Sequence, residues 1–573
     1  MTAGKNTGPT QQPPIGLGYM PVLFAAGVAL AWFSACTVGA LAGTGGRWRP
    51  HNLRELLDYT TSMFHPSDTL RAHGVLGPWA GATTVVTFAA IAVVTFLVAA
   101  SRIRDVSARR RGLAQREDLE QMSADAHLAR AHFLRPGSTG VRSPYATGVA
   151  LGRAHTGQGV WASIEDTFSV IGPPRSGKTA RLVAPTVARW EGPVVVTGLR
   201  PDIVGWTADW RTRGRRLLFD PADTTDPPAG FERVRWTPLV GCTDELTALQ
   251  RANALFAGRP NPSGDEAYWR QEGRNVLCAY LLAAARADLT MMQVVEWANR
   301  SDDTEPVAVL SQLDDSGLWS NSLRAAIANE PRYKAGVWGQ VKQALEPFYL
   351  PTVRAVAGGR AAESFTADWF LEDWHTLYML GSPSEQQAVA GLCAALADHV
   401  VETARRRARA HGRLSTPLLL ALDEAANVAP IPKLDQLMST GGGSGICTML
   451  VVQSVDQARN TWGPGVGEAL LRDLATQRLV LGGLGSAKDL KDITSLLGEH
   501  DEIVRSVSSR GGRGLLASGD ISVNTRLRPV LTENQIRELD TQGTGEALLI
   551  PRAGKAAVVR LPAIWEGDLS KSR

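Results

Sequence analysis

The chain has 573 residues, 44% of them apolar, and its 60 Lys and Arg nearly balance 56 Asp and Glu. This excludes a small stapled module or a polyelectrolyte tail, and predicts several domains with sizeable cores. The net charge of +4 is too small by itself to mark a nucleic-acid binder, and the five scattered cysteines, with no C-x-x-C pair, exclude a disulfide framework and a thiolate zinc site.

Residues 1–18 are rich in Gly, Pro, Gln and Thr and read as a disordered tail. Residues 19–46 carry no charge, and their core, 21–42, is long enough to cross a bilayer. A second uncharged stretch runs over 74–101, followed at once by Arg102, Arg104, Arg109, Arg110, Arg111 and Arg116. The alternatives are a cleaved signal peptide and a buried core helix. Against the first, the stretch lacks a basic leader beyond Lys5, and no clear small-x-small cleavage site stands before a mature polar start. Two transmembrane helices within 19–106 are therefore predicted, with the arginine-dense side cytoplasmic. The expected location is a membrane, multi-pass, with the bulk of the chain on the cytoplasmic side.

Next in order come a polar connector, helical around 115–134, then a turn at 152–159 and an edge strand at 161–164. Thr167–Ile171 (TFSVI) reads as a buried strand and residues 180–190 as a helix. Between them, Gly172, Pro173, Pro174, Arg175, Ser176, Gly177, Lys178 and Thr179, followed by Ala180, fit the phosphate-loop pattern G-x-x-x-x-G-K-[ST] in its required strand–loop–helix setting. Its glycines let successive N–H groups turn inward onto phosphate oxygens at a helix N-terminus. Lys178 reaches the β- and γ-phosphates, and the Thr179 hydroxyl binds Mg²⁺. ATP and Mg²⁺ are the predicted ligands.

Short apolar strands at 193–197 and 217–219 continue a parallel α/β pattern. From 243 the periodicity is helical to about 357, which reads as an inserted all-α domain. Strands resume at 375–380 and at 418–422, the latter closing on Asp423-Glu424. At such a strand end the first carboxylate holds the Mg²⁺ shell and the second activates water. Another strand, 448–452, ends at Gln453, which stands either as a γ-phosphate sensor or as a plain strand-end hydrogen-bonder. Further strands are expected at 479–482 and 547–550, and 506–525 reads as a Gly/Ser/Arg loop without periodicity. The fold class is α/β, a P-loop nucleotide-binding domain (Walker A in 107–242, Walker B in 363–573) interrupted by an all-helical insertion over 243–362.

These features in this order resemble the coupling proteins of type IV secretion and conjugation, the TraG/TraD family. VVVTGLRPDIVGWTADWRTRGRRLLFDP (194–221), YWRQEGRNVLCAYLLAA (268–284), TADWFL (366–371), LALDEAANVAPIPKLDQLMSTGGGSGI (420–446), VVQSVDQARNTWG (451–463) and RLRPVLTENQIREL (526–539) are similar to family segments. The resemblance implies a RecA-like fold and a homo-hexameric ring that passes single-stranded, relaxase-bound DNA to the components of a secretion channel. Two positions depart from the family pattern: Arg200 stands where a lysine is usual, and Gly442 where an arginine is often found. If that arginine is a trans-acting finger, another must serve; Arg472 and Arg478 are candidates, each equally placed for a surface salt bridge. Arg405, Arg406, Arg407 and Arg409, at a helix C-terminus, and Arg510 and Arg513, in the Gly-rich loop, offer modest support for a DNA path. Two other readings stay open: a nucleotide-binding cargo receptor that barely hydrolyses, and an FtsK-like DNA translocase, which the helical insertion and the two spans argue against.

Overall fold

The computed structural model describes residues 112–566, apart from 139, 258, 260–263, 314–315, 382–385, 509–519 and 541–542. Both expected membrane spans lie outside the described residues, as do Arg510 and Arg513. Among the described residues, no helix is long and apolar enough to cross a membrane.

One sheet organises the chain. Its strands are β1 (Gly148–Ala154), β2 (Gly159–Ser163), β3 (Thr167–Ile171), β4 (Val194–Gly198), β5 (Arg216–Phe219), β6 (Phe231–Arg233), β7 (Thr376–Leu380), β8 (Leu418–Leu422), β9 (Ile446–Val452) and β10 (Gln477–Leu481). A separate hairpin, β11 (Glu499–Ser508) and β12 (Asp520–Pro529), follows, and β13 (Glu546–Pro551) and β14 (Ala557–Arg560) return to the main sheet. The 12-stranded order is β2-β1-β14-β13-β10-β3-β9-β8-β4-β7-β5-β6. From β10 to β6 the pairing is parallel; from β10 outward to β2 it is antiparallel.

The central strands are buried throughout and mostly apolar because both faces are covered. Alternation along β4 sends Val195 into one core and Val194 and Val196 into the other; β8 does the same with Leu420 and with Leu419 and Ala421. Between β6 and β7 the chain is helical, with helices Glu245–Leu255, Asp265–Arg286, Met291–Asn299, Glu305–Leu313, Leu318–Ile327, Pro331–Ala344 and Pro351–Ala357. Helix Glu245–Leu255 docks on helix Gln386–His411, where a Cβ on Gly391 would stand 2.4 Å from the Leu255 carbonyl oxygen. Only glycine permits that approach.

Three expectations change. Residue 152 is not in a turn: β1 runs through Gly152, whose φ of +84° carries a shift in register against β2, and the turn shrinks to 155–158. Within 506–525, the flanks 506–508 and 520–525 are strand, because β11 and β12 pair in register from Glu499↔Pro529 to Ser508↔Asp520, while 509–519 lie outside the described residues. The connector around 115–134 forms only short turns of helix, Glu120–Met122, Ala124–Leu128 and Ala131–Leu134.

Candidate nucleotide site

The phosphate loop leaves the C-terminal end of β3 and feeds the helical turn Thr179–Val183, which continues as helix Ala184–Arg189. That first turn is a wide, π-type turn. Pro185 lacks the N–H a regular helix would need there, and the wider turn accommodates it. Gly172 and Gly177 are required by geometry. A Cβ on Gly172 would lie 2.6 Å from Ser176 Oγ, and Gly177 has φ +80°. Arg175 also takes a left-handed φ of 64°. Pro174 and Arg175 are exposed, whereas Lys178 and Ala180 are buried.

Lys178 Nζ donates to the carbonyls of Gly172 at 2.7 Å and Pro173 at 3.0 Å. Burial pulls its pKa below the usual lysine range, opposed by the charges of Asp423 and Glu424. β3 and β8 are not neighbours; β9 lies between them. Their ends nevertheless meet, for the Thr179 hydroxyl donates to Asp423 Oδ2. The Asp423 carbonyl is held by the Thr197 hydroxyl at 2.7 Å. Burial pushes the Asp423 carboxyl up to about 6, with the Thr179 hydrogen bond opposing.

Two buried oxygens here have no partner among the described residues, Asp423 Oδ1 and Ser176 Oγ. An unpaired buried carboxylate oxygen is costly unless a cation or donor meets it. The residues present therefore fit a hard divalent cation held by one carboxylate, one hydroxyl and substrate phosphate, the mode Mg²⁺ favours.

Glu424 follows with φ 51° and ψ 41°, a left-handed conformation costing a non-glycine residue about 1 kcal/mol or more. That twist ends β8 and starts the short helix Ala425–Val428 directly on the carboxylate pair. Asn427 Nδ2 stands 3.5 Å from Glu424 Oε2, Gln457 Nε2 donates to Asn427 Oδ1 at 3.1 Å, and the Gln453 N–H donates to Gln457 Oε1 at 2.9 Å. β9 thus places Gln453 between the phosphate loop and the carboxylates, and a side-chain chain links its backbone to Glu424. Sequence reading missed Asn427 and Gln457; a polar residue one helical turn after Glu424 was the only signal.

Of the two arginines expected as alternatives, Arg472 is engaged in ion pairs. Arg472 pairs with Asp492 at 2.7 Å, and burial lowers the pKa of Arg478. Arg405 bonds Glu402 at 2.8 Å, Arg406 approaches Asp368 at 3.7 Å, and Arg407 bonds Glu372 at 3.2 Å. Gly442 has no room for a side chain: its Cβ would fall 2.1 Å from the Glu165 carbonyl oxygen. Arg413 fills the neighbourhood instead, bonding Glu165 Oε1 at 2.7 Å and the Gly442 carbonyl at 3.0 Å.

A family model described as type IV secretory system conjugative DNA transfer matches residues 117–556. The chain belongs to that family. This coupling protein is 21% identical over 455 residues to a conjugal transfer protein TraG of Escherichia coli, covering 74% of this chain and 70% of TraG. A TraG of Agrobacterium fabrum is 20% identical over 301 residues, covering 50% of this chain and 44% of its own. Among solved structures, the bacterial conjugative coupling protein TrwBdeltaN70 superposes with a TM-score of 0.54 at 17% identity, covering 77% of this chain and 91% of its own. TrwB in complex with ADP and Mg²⁺ superposes at 0.51 with 17% identity, over 70% of this chain and 85% of its own. The coupling protein therefore has the mixed α/β, RecA-like P-loop fold of TrwB.

Proposed function

We propose that this coupling protein is a membrane-anchored ATPase that drives relaxase-bound single-stranded DNA toward a type IV secretion channel, working as a homo-hexameric ring. The observation that carries the catalytic part is the contact of Thr179 with Asp423, beside a buried carboxylate oxygen that has no partner. In this reading Lys178 and the loop N–H groups from Arg175 to Ala180 hold the phosphates, Lys178 giving up its bonds to the Gly172 and Pro173 carbonyls. Thr179 and Asp423 would hold Mg²⁺, which when bound neutralises phosphate charge. Glu424 takes the proton of the attacking water, oriented by Asn427. Gln453 reads the γ-phosphate from the end of β9. The solved complexes of TrwB with ADP and Mg²⁺ and with a non-hydrolysable ATP analogue support a nucleotide at this place.

The proposed organisation is a tail (1–18), a membrane domain (19–106), a nucleotide-binding domain in two parts (107–242 and 363–573) and the helical insertion (243–362) as the cargo-reading element. One observation favours a second reading, a nucleotide-gated cargo receptor with little turnover: the backbone contact at Gly442 leaves no space for the arginine often found there. Glu424→Gln separates the two. A motor retains ATP binding in this variant and loses turnover about a hundredfold or more. Equal, slow turnover in wild type and variant contradicts the motor.

A further inference from the structure

The pairing of β1 with β14 sets Arg153 directly opposite Arg560. Directly opposed residues of an antiparallel pair share a face, and like charges there destabilise the pair. Both side chains are exposed. Arg153 bonds the Gly157 carbonyl at 3.4 Å and Arg560 the Thr544 carbonyl at 3.1 Å; among the described residues neither makes an ion pair. Glu546 faces Arg560 from β13 without pairing with it. Gly152 makes the juxtaposition possible, since a Cβ there would lie 2.1 Å from the Arg560 carbonyl oxygen.

The two arginines line a cavity of about 710 Å³ whose other wall is the flank of the phosphate-loop helix, from Arg181 to Trp190. Arg181 is neutralised by Glu566 at 3.2 Å, the only carboxylate residue lining the cavity. Arg189 lies over the Tyr145 ring at 4.7 Å, and that ring tilts against Trp161 at 4.9 Å. The result is a groove with a guanidinium pair on one side, ion-paired with neither Glu546 nor Glu566 although both lie in its field, and an aromatic pair on the other. No residue of the loop 172–179 lines it, so it is separate from the phosphate-binding loop.

We propose that this groove binds a nucleotide unit, with phosphate oxygens between Arg153 and Arg560 and the base against Trp161. A phosphate removes the like-charge repulsion of the pair, and base stacking on aromatic side chains beside a cationic track is the general chemistry of single-strand binding. Inorganic phosphate alone would leave the aromatic wall unused. A free nucleotide and one residue of a nucleic-acid strand share this chemistry. The groove does not depend on ATP hydrolysis at the phosphate loop.

The test uses the full-length protein with Mg²⁺ and without added ADP or ATP. It is irradiated with a single-stranded oligonucleotide carrying 5-iododeoxyuridine or with the corresponding free monophosphate, and adducts are mapped by mass spectrometry. The expected result is an adduct on Tyr145 or Trp161, retained in Lys178→Ala and reduced about tenfold in Arg153→Glu/Arg560→Glu. Adducts with the oligonucleotide alone identify a strand as the source; adducts with the monophosphate alone identify a free nucleotide. Arg153→Gln/Arg560→Gln guards against misfolding: it relieves the repulsion, so the melting temperature without oligonucleotide should rise while the adduct is lost. No adduct on either ring, or adducts unchanged in both double variants, would overturn the proposal.

Discussion

The Thr179 hydroxyl meets the Asp423 carboxylate across 244 positions of sequence. It donates to a carboxylate whose other oxygen has no partner among the described residues. Thr179→Ala should therefore lower the stability of the nucleotide-free protein by about 1–3 kcal/mol. It should also abolish the extra thermal stabilisation that Mg²⁺ adds to ADP, leaving the ADP effect alone. Thr179→Ser should restore both. Melting curves with ADP, with and without Mg²⁺, check this; a full Mg²⁺ response in the alanine variant contradicts it.

In the proposed mechanism Asn427 acts through Glu424 and not on the nucleotide. Asn427→Ala should cut kcat about tenfold with KM for ATP nearly unchanged, as expected when only transition-state alignment is lost. Asn427→Asp should be worse than alanine, because it sets a like charge beside Glu424. Steady-state kinetics decide the matter, and a rise in KM with constant kcat would remove Asn427 from the catalytic alignment.

Restoring an arginine at Gly442 should fail. Any Cβ there meets the Glu165 carbonyl at 2.1 Å, and backbone atoms cannot move aside cheaply. Both Gly442→Ala and Gly442→Arg should cost about 1–3 kcal/mol, read as a fall in melting temperature. An arginine variant with native stability and faster turnover would show that the backbone there is free to shift.

Asp398 and His399 are adjacent on helix Gln386–His411 and titrate with opposite effect. Burial pushes Asp398 up to about 6 and His399 down to about 3, the latter against the Trp236 ring. The stability contributed by protonated Asp398 is complete below 3.8 and is lost as pH rises through about 6. That contributed by neutral His399 is complete above 6.5 and is lost as pH falls toward about 3. Relative to wild type, Asp398→Asn should gain stability as pH rises between 3.8 and about 6, and His399→Gln should lose it between about 3 and 6.5. Denaturation midpoints across that window test both signs.

What the sequence revealed was local. TFSVI is a strand because every one of its residues is buried between two layers, and the apolar run before Asp423-Glu424 ends where it should for the same reason. The helical block between β6 and β7 was legible from its period. What was hidden depends on distant partners. β1 and β14 pair though about 400 residues apart, which no period reports, and Gly152 looked like a turn because its bulge uses turn geometry. Asn427 and Gln457 meet only because helix Val455–Trp462 follows β9 past the end of β8. The left-handed backbone of Glu424 leaves no mark in composition at all.

The most direct test of the account is ATP hydrolysis by the full-length protein, alone and with single- or double-stranded DNA at low salt, with Lys178→Ala alongside. The account predicts turnover that single-stranded DNA stimulates and that Lys178→Ala abolishes. Nucleotide binding without turnover, with DNA present and at high protein concentration, would contradict it.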